Sequence, residues 1–260
     1  MRREVHLPIL AWFLGTALCL GQKSTDQTVG NRRRLGRRQR RSPSKRQPAL
    51  NQSFRFLLAQ NAFRFMTEPG TRSELQGPFF RDYIRSVRDL NHWNDGDPFL
   101  VNYIGHPMMG AVTGYIQRQN DPRFRAVNFG RSATYWKSVA RSFAFSAVYS
   151  TQFEIGPISE SSLGNSGKIP GTQGFVDLVV TPTVGTGWMI GEDALDRYVI
   201  RRVERATANP WIKLAVRTGL NPTRSFANLM RGKVPWHRDD REGVSRTPAV
   251  APAPAASSSP

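Results

Sequence analysis

Apolar residues recur at intervals of three and four positions through most of the chain, and this spacing restricts the fold more than any other feature. The period matches one face of an α-helix. No segment alternates apolar and polar residues between hairpin turns, as a strand-rich fold would require. The sequence therefore predicts an all-α bundle of about five to seven helices over residues 51–235, with glycine- and serine-rich inner helices. The predicted helical segments are residues 54–68, 73–90, 98–118, 134–155 and 172–207, followed by a helix that begins at Asn221 and Pro222 and ends before Gly232.

The first 21 residues have the composition of a signal peptide. Two arginines precede an apolar stretch, Leu7–Leu20, which is followed by Gly21. The stretch is shorter than a membrane-spanning helix, so we expect export and cleavage near Gly21. An uncleaved anchor helix and a lipid attached to Cys19 are the alternatives. Because Cys19 is the single cysteine, cleavage would leave a mature chain without disulfides, thiolate nucleophiles or cysteine-ligated metals.

Both ends of the mature chain are predicted to be disordered, residues 22–50 as a basic linker and residues 236–260 as a Pro/Ala/Ser-rich tail. The chain has a formal net charge of +18, and nine Lys and Arg residues with no acid lie between positions 32 and 46. Each cation near an anionic lipid surface contributes about 1 kcal/mol, so we predict that the linker binds an anionic membrane or lipopolysaccharide. A solvated linker without a partner is the alternative. Nucleic acid fits less well, because no aromatic side chains for base stacking interrupt the basic run.

The stretch NYIGHPMMGAVTGY places His106 and Pro107 inside an otherwise apolar, glycine-rich segment. Pro107 disfavours helical geometry at His106 and removes the backbone donor that would bond to the Tyr103 carbonyl. His106 should therefore lie at a kink or at a helix start, where the positive end of the helix dipole favours the neutral ring. Gly110 and Gly114, four residues apart, would allow a neighbouring backbone to approach closely.

Two carboxylates lie inside similar segments, Glu154 at the end of a row of serines spaced four residues apart and Asp177 within FVDLVV. A buried carboxyl must find a partner or raise its pKa, and buried polar groups usually satisfy one another. We therefore expect the three inner helices to pack together and their polar side chains to meet in one hydrogen-bonded network. The close helix contacts are assigned to Gly110, Gly114, Ser146 and Gly185. The predicted members of the buried network are Asn102, Tyr103, His106, Glu154 and Asp177, with Glu192 at its edge.

These residues also follow one another in a recognisable order. Asn-Tyr-x-x-His-Pro-x-x-Gly is followed by a helix ending in Glu, then by Asp-x-x-x-Thr-Pro and a Gly-Glu pair. In this pattern the chain resembles a family of bacterial envelope proteins known only as a domain of unknown function, over about residues 95–195. The resemblance implies an envelope location and supplies no reaction. The matching positions are Asp97, Asn102, Tyr103, His106, Pro107, Gly110, Glu154, Asp177, Thr181, Pro182, Gly191 and Glu192.

The candidate catalytic residues are His106, Glu154 and Asp177, because an imidazole and two carboxyl groups on facing helices could exchange protons or bind a metal ion. No cofactor and no metal is predicted, since the Glu-x-x-His and His-x-x-x-His spacings of helical metal sites are absent. The chain also lacks a nucleophile elbow, a P-loop and a dinucleotide-binding fingerprint. A structural polar network is therefore the preferred interpretation. The other histidines fall in the signal peptide, a predicted loop and the tail: His6, His92 and His237.

The sequence thus predicts a non-enzymatic, exported, membrane-associated helical bundle of the bacterial cell envelope. The alternative is an envelope enzyme acting on lipid or a phosphate ester, with His106 as base or nucleophile. The enzyme needs an open pocket that reaches His106, whereas the scaffold buries it. The absence of Lys, Arg, Asp and Glu between Phe99 and Ile116 favours a partly embedded bundle. In that arrangement a headgroup interface would receive Arg197, Arg201, Arg202 and Arg205, with Leu195, Tyr198 and Val199 toward lipid or core.

Overall fold

The computed structural model describes residues 47–67, 78–164 and 174–244. Its α-helices are α1 (Gln47–Thr67), α2 (Phe79–Arg88), α3 (His106–Asn120), α4 (Ala133–Ile155), α5 (Val176–Leu195), α6 (Arg201–Ala206), α7 (Pro210–Gly219) and α8 (Pro222–Met230), with π-helical turns at Val101–Gly105, Glu160–Gly164 and Asp196–Ile200. The last π turn joins α5 to α6 end to end, so the described helices form seven rods. The predicted all-α bundle is confirmed, and within these ranges the sole extended pairing is one parallel bridge between His92 and Gly174. None of the described helices combines the length and the apolar character needed to cross a membrane.

α3 is the centre of the bundle and is buried along most of its length, with α5 parallel to it and α4 antiparallel. A Cβ added to Gly110 would lie only 1.9 Å from the Thr181 carbonyl oxygen of α5, and one added to Gly185 would lie 2.7 Å from a carbonyl oxygen of α3. Ser146 approaches from α4, its Oγ 3.0 Å from the same Cβ position on Gly110. A Cβ on Gly114 would meet the Ser142 Cβ at 3.3 Å. The helix contacts predicted at these small residues are confirmed.

The apolar core continues on the other side of α3, where α1 and α8 pack. The ring of Phe56 on α1 lies between Tyr149 of α4 and Phe226 of α8, with centroid distances of 5.7 and 5.4 Å. Val112 and Ile116 of α3 are fully buried against this group. The bundle therefore encloses α3 on all sides.

The His106–Pro107 step begins α3, so of the two alternatives open in the sequence, a kink or a helix start, the structure has a helix start preceded by a π turn. The preceding turn is π-helical, and the His106 backbone N–H donates to the Val101 carbonyl, five residues back. Pro107 has no N–H to donate, and the wider π turn accommodates the hydrogen bond that is missing there. His106 itself has helical φ and ψ of −62° and −43°, which a residue before proline usually avoids. The π turn thus fixes the ring at the first position of the helix.

The folded bundle is longer than the predicted range of 51–235. α1 begins at Gln47, inside the predicted linker, and residues 236–244 fold back although the predicted tail begins at 236. Arg238 is buried, and its guanidinium donates to Asp196 Oδ1 at 3.1 Å and to the Arg217 carbonyl at 2.8 Å. The composition of residues 236–244 did not indicate that they fold, because charged residues are usually exposed to solvent unless a buried partner neutralises them. The predicted signal peptide, the linker up to residue 46 and the tail from residue 245 lie outside the described residues.

A buried carboxylate, Asp196, organises the end of the bundle away from His106. It is 3 % exposed, and its two oxygens accept hydrogen bonds of 2.8 Å each from Arg241 in addition to the bond from Arg238. Burial alone would raise the pKa of Asp196, but the hydrogen bond from Arg241 and the charges of Arg224 and Arg238 hold it below its usual range. Asp196 is therefore the anionic centre of an arginine cluster.

Candidate functional site

Three side chains meet where the inner helices end, and we name His106, Glu154 and Asp177 the His106 cluster. His106 opens α3, Asp177 lies in the first turn of α5, and Glu154 lies in the last turn of the antiparallel α4. His106 Nδ1 is 3.8 Å from Glu154 Oε1, and Nε2 is 3.6 Å from Asp177 Oδ2. The exposed fractions of the three residues are 4 %, 4 % and 1 %. The three residues proposed from sequence as candidate catalytic groups thus form one enclosed cluster.

A third acid, Asp95, lies beside this cluster and was not predicted. Its carboxylate is hydrogen-bonded to Asp177 and accepts from Asn102 Nδ2 at 2.7 Å and from the Asp97 backbone N–H at 3.0 Å. Gly96 has a φ of +90°, a conformation that suits glycine, and it allows the tight turn that brings Asp95 inward. Asn102 therefore reaches the cluster through Asp95 rather than directly. The available signal is the Asp-Gly-Asp turn just before the motif, whose second aspartate, Asp97, is itself a motif position.

The predicted hydrogen bonds within the cluster are not formed. Both separations from the His106 ring exceed hydrogen-bond length. The three side chains therefore lie together as predicted, whereas the prediction that they hydrogen-bond to one another is wrong. The buried polar atoms without a hydrogen-bond partner around this point are His106 Nδ1, Glu154 Oε1, Asp177 Oδ1, Asn102 Oδ1, Ser146 Oγ and Thr181 Oγ1.

Burial determines the charge state of the His106 cluster. It lowers the pKa of His106 to about 4, although the nearby charge of Asp95 acts in the opposite direction. Burial also raises the pKa of Glu154 well above its usual range, and the charge of Glu160 adds to that effect. Burial, together with the hydrogen bond that the Asp177 carboxyl group donates to the Asp95 carboxylate, raises the pKa of Asp177. Near neutral pH the ring and both carboxyl groups therefore favour their neutral forms.

Glu192, predicted at the edge of the network, lies elsewhere. It follows Asp177 by 15 residues on α5, a distance of about 22 Å along the helix axis. Its carboxylate accepts from the backbone N–H groups of Thr223 at 3.0 Å and Arg224 at 3.2 Å. Burial raises the pKa of Glu192 to about 7, and these hydrogen bonds act against the rise. Glu192 thus caps the N-terminus of α8, where the side chain of Asn221 makes no capping hydrogen bond.

Tyr103 is also outside the cluster and belongs to an aromatic group nearer the surface. Its hydroxyl accepts from Trp93 Nε1 at 3.2 Å, and its ring stacks on Phe99 at a centroid distance of 4.8 Å. Trp93 in turn meets Phe175 edge to face at 5.3 Å. His92 lies next to this group in an exposed loop and makes no contact with His106 that could complete a metal site.

Comparison with models of protein families, with curated proteins and with solved structures finds no match for this chain. The resemblance to the envelope family, which rests on the motif residues, therefore stays a prediction. Function must be inferred from the geometry and charge of the described residues.

Proposed function

We propose that this protein is an exported, non-enzymatic helical bundle of the bacterial cell envelope that binds an anionic membrane or lipopolysaccharide surface. Export is supported by the signal-peptide composition of residues 1–21. Surface binding is supported by one observation above all, a concentration of exposed cationic and aromatic side chains at the end of the bundle away from His106. We name this region the basic end.

The basic end is formed by the loop after α3, the start of α4 and the junction of α5 with α6. Trp136 is 50 % exposed and Tyr198 is 59 % exposed, and Leu195 and Val199 project beside Tyr198. The Arg197 guanidinium carbon lies 5.6 Å from the centre of the Tyr198 ring. Aromatic and basic side chains in this combination suit the headgroup region of an anionic bilayer. The exposed cations of the basic end are Arg123, Arg125, Arg131, Lys137, Arg141, Arg197, Arg202 and Arg205.

One arginine differs from the arrangement predicted for a headgroup interface. Arg201 forms ion pairs with Asp240 and with Asp196, which hold its guanidinium against the protein. Asn128 also accepts from it. Arg202 and Arg205, by contrast, are exposed on the outer face of the same helix. The proposed contact therefore rests on Arg202 and Arg205 rather than on Arg201.

Burial of the His106 cluster favours the scaffold over the alternative enzyme. A general base or nucleophile must come within hydrogen-bond reach of its substrate. The His106 ring is enclosed, and Glu154 and Asp177 close it in from two sides. Two grooves on the described surface are lined by other residues, one around Arg123 and Lys137 and the other around the arginines of α6 and α7. Both grooves include residues of the basic end.

Export predicts where the chain is found in a bacterial cell. A copy tagged at its C-terminus should be recovered in the envelope fraction with an N-terminus near Gln22, because the apolar stretch directs secretion and is then removed. Cell fractionation followed by mass spectrometry of the N-terminal peptide measures both. A chain that lacks residues 2–21 is the control and should stay in the cytosol. Recovery of the intact chain in the cytosol would contradict export.

Surface binding predicts a preference for anionic vesicles. The full chain should sediment with phosphatidylglycerol-containing vesicles and not with phosphatidylcholine alone, and salt should weaken the binding. Changing Arg202→Gln and Arg205→Gln together should weaken it about 30-fold, since each cation contributes about 1 kcal/mol near such a surface. Vesicle sedimentation over a range of lipid concentrations measures the partition coefficient.

The matched control replaces two exposed arginines at the other end of the bundle, Arg85→Gln and Arg88→Gln on α2, and should leave binding unchanged. Deleting residues 32–46 distinguishes the contribution of the linker to binding from that of the bundle. If that deletion removes all binding while the α6 double variant removes none, the attraction lies in the linker and the basic end has no part in it. Equal binding to neutral vesicles would contradict the proposal altogether.

A further inference from the structure

We infer that His106, Glu154 and Asp177 bind one divalent transition-metal ion, such as Zn²⁺, between the ends of α3, α4 and α5. One ring nitrogen of His106 and one carboxylate oxygen from each acid all lie within 4.8 Å of one another. Protein ligands lie 2.0–2.2 Å from zinc, so two of them can be at most about 4.4 Å apart. Glu154 approaches Nδ1 at 3.8 Å and Asp177 approaches Nε2 at 3.6 Å, so the two acids face different ring nitrogens, of which one ion would bind a single one. Side-chain rotations that shorten these separations, none of them above 4.8 Å in the common set, would bring all three ligands around one ion.

The unpaired atoms of the cluster give the second reason. His106 Nδ1, Glu154 Oε1 and Asp177 Oδ1 are buried and have no hydrogen-bond partner. Buried polar groups almost always have partners, and an exception requires an explanation such as an ion. Two hydroxyls on residues that pack against Gly110, one helical turn further along α3, are also unpaired: Ser146 Oγ and Thr181 Oγ1. A cation would accept electron pairs from the three ligands and draw water or hydroxyl oxygen toward its remaining positions.

The donor atoms select the class of ion. Imidazole nitrogen with carboxylate oxygen suits zinc, manganese and iron, and no thiolate is needed. Binding requires both carboxyl groups to be ionised, and a divalent charge would replace the protons that burial otherwise retains on them. Asp95 lies behind Asp177, the place at which an outer carboxylate commonly supports a metal ligand. Asp95 is partly exposed, so it also connects the cluster to solvent.

The sequence predicted no metal, because the ligand spacings typical of a metal site on one helix are absent. Here each ligand comes from a different helix, and no linear motif can record such a set. The metal site is independent of the proposed surface binding, since the basic end lies at the other end of α3 and α5.

Titration of the purified full chain with Zn²⁺, after removal of metals with EDTA, tests the site. We expect one zinc ion per chain by calorimetry, together with a rise in the thermal unfolding midpoint that Mg²⁺ does not produce. His106→Gln, Glu154→Gln and Asp177→Asn should each raise the dissociation constant at least about 100-fold, more than the loss of an outer-shell partner. The matched control is His92→Gln, which removes an exposed histidine and should leave the constant unchanged.

The wild-type chain alone can overturn the inference, whether or not the three variants fold. X-ray absorption at the zinc edge should show nitrogen and oxygen ligands at about 2.0–2.2 Å and no sulfur. Absence of stoichiometric binding, or a thermal midpoint that zinc leaves unchanged, would rule out the site. Equal affinity in folded His106→Gln and wild type, with folding checked by circular dichroism, would place any bound zinc elsewhere.

Discussion

Gly110→Ala should lower the free energy of unfolding by about 4 kcal/mol or more, a loss reached only by severe disruption of a core. The added Cβ would lie 1.9 Å from the carbonyl oxygen and 2.8 Å from the carbonyl carbon of Thr181. Both are backbone atoms of α5, so no side-chain rotation can relieve the overlap. α3 and α5 would have to separate, and the packing of the two central helices would be lost. Urea denaturation followed by circular dichroism measures the change.

Gly187→Ala is the matched control for that substitution. Gly187 lies on the same helix pair, on the exposed side of α5, and a Cβ there meets nothing within 4 Å. Alanine should raise the free energy of unfolding by about 0.5–1 kcal/mol, because glycine loses more backbone freedom in a helix. Equal losses at the two positions would contradict the close approach of α3 and α5 at Gly110.

Asp196→Asn should cost about 3–5 kcal/mol, the effect of leaving buried charges without their partner. The carboxylate is 3 % exposed and binds Arg238 and Arg241, with Arg224 at 4.0 Å. An asparagine oxygen can accept at most two of these three hydrogen bonds, its amide NH2 would face a guanidinium donor, and it supplies no negative charge. The guanidinium groups would then repel one another at the end of α5. Thermal and urea unfolding of the full chain, compared with wild type at neutral pH, measure the loss.

The same carboxylate gives that prediction a pH dependence. Because the folded-state pKa of Asp196 lies below its unfolded value, its stabilisation is present above about pH 4 and is lost as the pH falls through the folded-state pKa. The difference in stability between wild type and Asp196→Asn should therefore shrink in acid.

Asp121→Asn is the matched control, since Asp121 also pairs with two arginines, Arg123 and Arg141, but both are largely exposed. It should cost at most about 1 kcal/mol, and a loss as large as that of Asp196→Asn would show that burial does not set the difference.

Local features of the sequence predicted most of the helices, although not α7 (Pro210–Gly219), and the close contacts among the three inner ones. Apolar spacing gave the helical class, because a helix repeats its buried face every three or four residues. Gly110 and Gly185 could be assigned to close contacts because small residues recur on the buried faces of α3 and α5. The start of α3 at His106 followed from the proline beside it, whose missing N–H acts on its own turn.

The candidate site was predicted only in part, because local sequence features do not fix the distances between side chains on different helices. His106, Glu154 and Asp177 stood out as polar residues in segments that must be buried, and such residues tend to be brought together. Periodicity cannot state how far apart their atoms will be, so the missing hydrogen bonds, and with them the metal site we infer, required coordinates. Asp95 could not be recognised because it lies in a loop, where no period distinguishes an inward side chain from an outward one.

The sequence by itself therefore determined which faces are buried, that the helix is interrupted at His106 and which small residues let helices touch, since each of these depends on neighbours within a turn or two. Only the tertiary structure decided the partners of the charged groups. Glu192 caps α8 because that helix begins beside it, and Arg238 is buried because Asp196, 42 residues earlier, lies where it folds back. Whether a charge is solvated or buried depends on an opposite charge supplied by a distant part of the chain, and the order of residues along the chain does not specify that distance.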